Sequence, residues 1–252
     1  MPIGALILVE TSSAGNLGAV MRIAANFGVP TVELVKPRIG PDDDEVLRWA
    51  CGAEEHLTTR SWRSVDEATA SYRCLVGTAS GRGRERQPVI TPQEAVPLIV
   101  KRGLEGTALL FGNETSGLGR EDLDRCDFIV RVPSRPEFPV LNLAQTVAIL
   151  TAYLSIEAED QAPQGVVPAP MEQLEGLMAH LRRTLIMIGF LDPANPARIL
   201  RKIRRMLGRA GVTENEVSIL RGICRQVDWA TRFQGKRAGQ GHSRFVQHNK
   251  GQ

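Results

Sequence analysis

The sequence predicts an α/β protein: a parallel sheet with helices on both faces, joined to a small C-terminal helical domain. Three observations predict it. Short aliphatic runs alternate with helical segments over the first 158 residues, which is the pattern of strands joined by crossover helices. Beyond a proline-rich stretch, "QAPQGVVPAP", the pattern turns all-helical. The chain has 252 residues, 42% of them hydrophobic and 23% charged, enough for one sizeable core and an addition.

The strands come first. The runs "ALILVE", "TVELVK", "RCLVGTA", "TALLFG" and "FIVRVP" have the length and aliphatic content of buried strands. In "LVETSSAGNLGAVMRIAANFG" a small-residue loop follows the first strand and leads into a helix that has Arg22 in its second turn. Ser64 with Glu67, and Thr91-Pro92 with Glu94, have the spacing of helix-starting capping boxes, and Pro92 sits where its missing N–H costs nothing. A nearly all-apolar helix enters at Leu141 and runs to about 156, stiffened at its mouth by Pro133, Pro136 and Pro139. A helix apolar on nearly every side has to be covered on nearly every side, and a second subunit is the preferred cover.

"MEQLEGLMAHLRRTLIMIGF" forms one helix of the C-terminal part, Asn195-Pro196 begins a second, and Thr213 with Glu216 caps a third that ends near Phe233. The second carries an apolar stripe of Ile199, Ile203, Met206 and Ala210. Its cations Arg198, Arg201, Lys202, Arg205 and Arg209 fall on another face. The expected boundaries are a main domain at 1–160, a linker at 161–170, a basic helical domain at 171–234 and a flexible basic tail at 235–252.

Charge is divided unevenly. Residues 171–252 carry 15 Lys and Arg against 6 Asp and Glu, whereas residues 1–170 carry 16 against 22. An acidic body with a basic addition fits a polyanionic partner, most simply nucleic acid, and equally a solvated helix face. The opening "MPIGALILVETSS" has a short apolar run and no basic leader. "LNLAQTVAILTAYLSI" is too short for a membrane span and is interrupted by Asn142, Gln145 and Thr146. Cys51, Cys74, Cys126 and Cys224 are scattered and read as reduced structural thiols. A cytoplasmic protein with no metal and no membrane contact is expected.

Three junctions at strand ends are richer in polar and glycine residues than a connection needs. In "LVETSSAGNLGAVMRIAANFG", Asn16 and Arg22 read as a capping amide and a surface guanidinium, or as groups poised over a phosphate. In "ALLFGNETSGLG", Gly112 would let a flat ligand approach the backbone. Glu114 there is either a helix-start acid or a carboxylate that orients a substrate group or pairs with an arginine. In "RVPSRPEFPVLNLAQTVAIL", Asn142 is an amide among hydrophobes and needs a partner, whether helix cap or ligand. His56, His180, His242 and His248 all lie outside these junctions. That weighs against hydrolases with a histidine base and against histidine metal sites. No dinucleotide fingerprint or P-loop is present.

Taken together, the three segments resemble the motifs of the SPOUT-class RNA methyltransferases of the SpoU/TrmH superfamily, in the same order. "GNLGAVMRIAANFG" looks like motif one, "LLFGNETSGLGREDL" motif two and "VPSRPEFPVLNLAQTVAI" motif three. "ILVETSSAGNLGAV" and the C-terminal "GFLDPANPARILRKIRRMLGRAGVTENEVSILRGI" are most similar to the TrmJ branch. The resemblance implies a SPOUT α/β fold with a C-terminal trefoil knot and a homodimer. It also implies an S-adenosylmethionine-dependent transfer to ribose 2′-hydroxyls of tRNA, at cytidine or uridine 32 of the anticodon loop. Ribosomal RNA is the alternative substrate, and an RNA-binding protein with weakened turnover the alternative role. By similarity the donor contacts Thr78, Ala79, Ser80, Gly112, Val132, Pro139, Val140 and Leu141. Asn16, Arg22, Glu114 and Asn142 match catalytic positions. Arg22 is expected to clamp a phosphate, held in register by Glu114 and Asn142. The basic cluster Arg198, Arg201, Lys202, Arg205 and Arg209 is expected to bind RNA phosphates. Two departures stand out: Val140 replaces the usual serine of motif three, and Asn113 stands where the branch can carry arginine.

Overall fold

The computed structural model describes residues 2–79, 89–160 and 167–241. Among them are strands β1 (Ala5–Val9), β2 (Thr31–Val35), β3 (Thr58–Trp62), β4 (Cys74–Thr78), β5 (Val89–Ile90), β6 (Thr107–Phe111) and β7 (Phe128–Val130). Every pairing between them is parallel, and the order across the sheet is β3-β2-β1-β6-β4-β7-β5. The five expected strands are present. β3 and β5 were not legible: β3 is a polar edge strand bonded only to β2, and β5 has two residues.

Helices α1 (Ala14–Asn26), α2 (Asp44–Ala50), α4 (Pro92–Arg102) and α6 (Leu143–Asp160) cover one face of the sheet. The other is covered by α3 (Val65–Thr69), α5 (Arg120–Arg125) and the C-terminal helices α7 (Met171–Met187), α8 (Ala197–Ala210) and α9 (Glu214–Gly241). Leu6 and Leu8 of β1 point to the first core and Ala5 and Ile7 to the second, because successive side chains of a strand alternate. Leu6, Ile7 and Leu8, fully buried, each stabilise the fold by about 1.5–3 kcal/mol. One polar side chain buried in the sheet is Glu33 of β2, a carboxylate. It accepts hydrogen bonds from Trp62 Nε1 at 2.5 Å and the Tyr72 hydroxyl at 3.1 Å, with Arg60 3.9 Å away.

The C-terminal helices therefore pack on the second face of the sheet. Residues 161–166 of the expected linker lie outside the described residues, and its last residues are fastened to the body. Ala169 N–H donates to the Val212 carbonyl at 2.8 Å, and Arg73 donates to the Pro168 carbonyl at 2.7 Å. α9 runs on to Gly241, past the expected end near Phe233; of the expected tail, 242–252 lie outside the described residues. Thr213 and Glu216 form the expected reciprocal cap at its start.

The expected apolar stripe of α8 is corrected. Ile199 and Met206 are exposed, and the buried side consists of Arg204, Leu207 and Gly208 with Leu200 and Ile203 beside them. A guanidinium sits on that side because a buried carboxylate awaits it. Asp127, just before β7, lies 3.4 Å from Arg204 and 3.8 Å from Arg102, and accepts the Leu75 N–H at 2.9 Å. Arg204 also donates to Glu175 at 2.9 Å and to the Arg125 carbonyl at 2.7 Å. Arg102 donates to the carbonyls of Gly208 and Arg209, at the negative end of the α8 dipole. Any side chain at Gly208 would collide with the Asp127 carboxylate, so glycine permits the close approach. All four thiols are free: Cys74, Cys126 and Cys224 are buried, and Cys51 is exposed at the end of α2.

Candidate active site

β1 and β6 are neighbours, but the helix after β1 lies on one face of the sheet and the chain after β6 turns to the other. Their carboxyl ends therefore diverge and leave a crevice, the usual ligand position in a doubly wound sheet. A cavity of about 800 Å³ opens there, within the range of small-molecule sites.

Residues of all three junctions meet at it, together with the end of β4. Thr78 and Ala79 end β4, Gly112 and Glu114 follow β6, and Val132, Pro139, Val140, Leu141 and Asn142 lie between β7 and α6. Asn16, in the first turn of α1, completes the rim. Ten of the expected site residues thus border one space. Ser80 lies outside the described residues. Phe111, Thr115, Ser116 and Phe138, which were not singled out, also line it, as do Asn113, Gln145 and Thr146, which were noted for other reasons. All of them lie within the quoted motifs, but residue type alone did not set them apart from their neighbours.

The loop after β6 is shaped by its own hydrogen bonds. Asn113 Oδ1 accepts from the N–H of Thr115 at 3.0 Å and of Ser116 at 2.7 Å, an Asx turn that folds the chain back on itself. Gly112 lines the cavity and has a steric reason of its own. A Cβ there would overlap the backbone of Gly117 and Leu118, so the glycine is required by the loop before any ligand arrives.

Glu114 meets a different partner from the one expected. Its carboxylate accepts from Asn16 Nδ2 at 3.0 Å, Thr11 Oγ1 at 3.2 Å and Ser12 Oγ at 3.3 Å, beside the N-terminus of α1. Partial burial raises its pKa, but the hydrogen bonds from Asn16 and Thr11 and from the N–H groups of Glu114 and Ser13 outweigh burial. The carboxyl is held below its ordinary value of 4.5 and is ionised at neutral pH. Asn16 Oδ1 in turn accepts from Asn142 Nδ2 at 2.9 Å. Asn142 is also the cap of α6: its Oδ1 accepts the Ala144 N–H at 2.8 Å, and its own N–H donates to Gln145 Oε1 at 3.1 Å. One side chain serves both roles.

Arg22 is not at this cavity. It is exposed, and its Nη1 donates to Cys51 Sγ at 3.4 Å. Six helical residues separate it from Asn16, a rotation of roughly 240° and a rise of about 9 Å, so the two cannot face the same space within one chain. The expected pairing of Glu114 with Arg22 is replaced by the pairing of Glu114 with Asn16.

The basic cluster is divided. Arg198, Arg201, Lys202 and Arg205 surround a concavity of about 340 Å³ with Asn195, at the start of α8. Arg201 and Arg205 lie 3.6 Å and 2.8 Å from Asp124 of α5, which orients them. Arg209 lies outside it, at the far end of the helix.

Comparison with known proteins agrees with this arrangement. Residues 4–152 match the model of the SpoU rRNA methylase family, and residues 172–240 match that of the C-terminal domain of the tRNA methyltransferase TrmJ. The tRNA (cytidine/uridine/adenosine-2′-O-)-methyltransferase TrmJ of Pseudomonas aeruginosa is 37% identical over 235 residues, covering 86% of this chain and 91% of that protein. The tRNA (cytidine/uridine-2′-O-)-methyltransferase TrmJ of Escherichia coli is 31% identical over 232 residues, covering 88% and 94%. The crystal structure of TrmJ from Z. mobilis superposes with a TM-score of 0.76 at 32% identity, covering 90% of this chain and 99% of that one. With both of its parts and nearly its whole length accounted for, the chain belongs to the SpoU methylase family, in its TrmJ branch.

Proposed function

We propose that this protein transfers a methyl group from S-adenosylmethionine to ribose 2′-hydroxyls of tRNA, with cytidine or uridine 32 of the anticodon loop as the target. The observation that carries the reading is the convergence of three distant junctions on one cavity, with an ionised carboxylate at its rim. The cavity fits the donor. Thr78, Ala79, Val132, Pro139, Val140 and Leu141 offer a mostly apolar wall with backbone groups, suited to a flat purine. When bound, the donor supplies an electrophilic methyl group.

The chain's own residues do the rest. They hold the ribose in line with that methyl group, which is worth several powers of ten in rate. Asn16 and Asn142 stand where the acceptor enters and can stabilise the oxygen as its proton leaves. Val140 in place of serine keeps the wall but removes one hydroxyl from it.

Arg22 enters the proposal through a second copy of the chain. The buried side of α6 packs on α1 and α4, whereas Ile156 on its other side is 66% exposed and Phe138 at the cavity rim 81%. A homodimer would cover both, and would bring Arg22 of one copy to the cavity of the other as a phosphate clamp. The family's trefoil knot and a cytoplasmic location belong to the same reading. So does the domain division expected from the sequence, with the cations of α8 gripping tRNA phosphates.

Incubation of the full chain with S-adenosylmethionine and defined tRNA and ribosomal RNA transcripts, followed by nucleoside mass spectrometry, tests the reading. A 2′-O-methylated nucleoside in tRNA supports it; methylation confined to ribosomal RNA, or none, overturns it.

A further inference from the structure

The contacts of Glu114, Asn16 and Asn142 carry a direction. An ionised carboxylate has no hydrogen to give, so Asn16 must turn its Nδ2 to Glu114, at 3.0 Å. Its Oδ1 is then left for Asn142, which must donate through Nδ2 at 2.9 Å. The Oδ1 of Asn142 is consequently free to accept the Ala144 N–H that begins α6, at 2.8 Å. The same order is required from the other end, because a backbone N–H can only donate. Both ends therefore impose one orientation on two amides that could otherwise flip.

We infer that Glu114 is a positioning residue that polarises a one-way hydrogen-bond chain, from Ala144 N–H through Asn142 and Asn16 to the carboxylate. The consequence is chemical. Each Nδ2 has a second hydrogen that no described group takes, and both amides border the cavity. The acceptor side of the site thus offers two N–H donors, which select a lone-pair-bearing oxygen of the acceptor strand, a ribose hydroxyl or a phosphate. They stabilise negative charge as it develops on that oxygen. The low pKa of Glu114 fits this role, since a proton on the carboxyl would release Asn16 to flip. The inference rests on the methyl-transfer reading for its consequence, though not for the chain of bonds itself.

Four variants of the full-length protein test it. Asn142→Asp keeps an acceptor for Ala144, and so keeps the cap of α6, but has no hydrogen for Asn16. The inference expects a kcat at least tenfold lower with donor affinity and melting temperature maintained; a wild-type kcat would overturn it. Asn16→Asp sets one carboxylate against another and is expected to be more damaged. Glu114→Gln, whose amide can still present its oxygen to Asn16, is expected to lose less. In the double variant Glu114→Gln/Asn16→Asp, the glutamine donates to the introduced carboxylate, which accepts from Asn142, so the direction toward Asn142 returns. Its kcat is expected to exceed that of Asn16→Asp alone, although Glu114→Gln by itself lowers kcat. Additive losses would overturn the inference. A readout free of activity separates this from the functional reading: in ¹⁵N-labelled protein, the Asn16 and Asn142 amides should each show one hydrogen protected from exchange and one unprotected. If both hydrogens of either amide exchange freely, the chain of bonds is absent whatever reaction is catalysed.

Discussion

A carboxylate at the lip of a strand has to be held by donors or stay in water, and Glu114 is held by Asn16, Thr11 and Ser12. Its pKa lies below the ordinary 4.5 when folded, so the unfolded chain takes up the proton first as pH falls. The stabilisation Glu114 gives is therefore fully present above that ordinary value and disappears as pH drops through the lower folded one. The difference in unfolding free energy between wild type and Glu114→Ala is expected to stay constant from neutral pH to about pH 5 and to shrink below it. Denaturant titrations over a pH series measure this, and a difference that shrinks already near pH 6 would mean that the carboxyl is not held as described.

At the scale of elements, α8 has two opposed duties. Its buried side is pinned through Arg204 to Asp127 and Glu175, and its open side presents Arg198 and Lys202 around a concavity. Truncating a partner in a buried ion pair leaves the other charge stranded. Arg204→Ala is expected to destabilise the protein by about 3 kcal/mol, near the low end of such losses because Arg102 remains 3.8 Å from Asp127. Chemical denaturation checks this; a loss below about 1 kcal/mol would mean that α8 is not anchored by its arginine. Replacing Arg198 and Lys202 by glutamate is expected to weaken tRNA binding and to reduce the slope of log affinity against log salt by roughly one per cation lost. Filter binding at several salt concentrations measures it, and an unchanged slope would remove those cations from the interface.

How far these elements were legible in the sequence depends on the forces that set them. β1, β2, β4, β6 and β7 were readable because a strand buried on both faces must be apolar along its length. β3 was not, because an edge strand with polar residues carries no such mark. The caps at Thr91 and Thr213 were readable because their partners lie three residues away. Arg204 was not singled out, since its buried partner Asp127 is distant in sequence. The same holds for Glu114: the need for a partner was visible, but which of Arg22 and Asn16 met it depended on the rotation of α1 about its axis.

The whole molecule joins these levels. A sheet whose order reverses direction between β1 and β6 opens a crevice, three junctions wall it, and the C-terminal helices dock their cations on the same body. If the working unit is a dimer in which Arg22 serves the neighbouring cavity, two inactive variants should complement each other. In a mixed dimer of Arg22→Ala and Asn142→Ala, one cavity has its own Asn142 and its partner's Arg22. Refolding an equal mixture is expected to restore about a quarter of the wild-type sites, by random pairing of the copies. No recovery, with heterodimers shown to form, would place Arg22 outside the neighbouring site.

The central claim is that the cavity at the ends of β4, β6 and β7 seats the methyl donor. Calorimetric titration of S-adenosylmethionine into wild type and Ala79→Trp tests it most directly, because the added ring fills that space while leaving the C-terminal helices untouched. Binding of one donor per chain by wild type, lost in Ala79→Trp with tRNA affinity retained, is the predicted result. Donor affinity unchanged by the ring would contradict the claim.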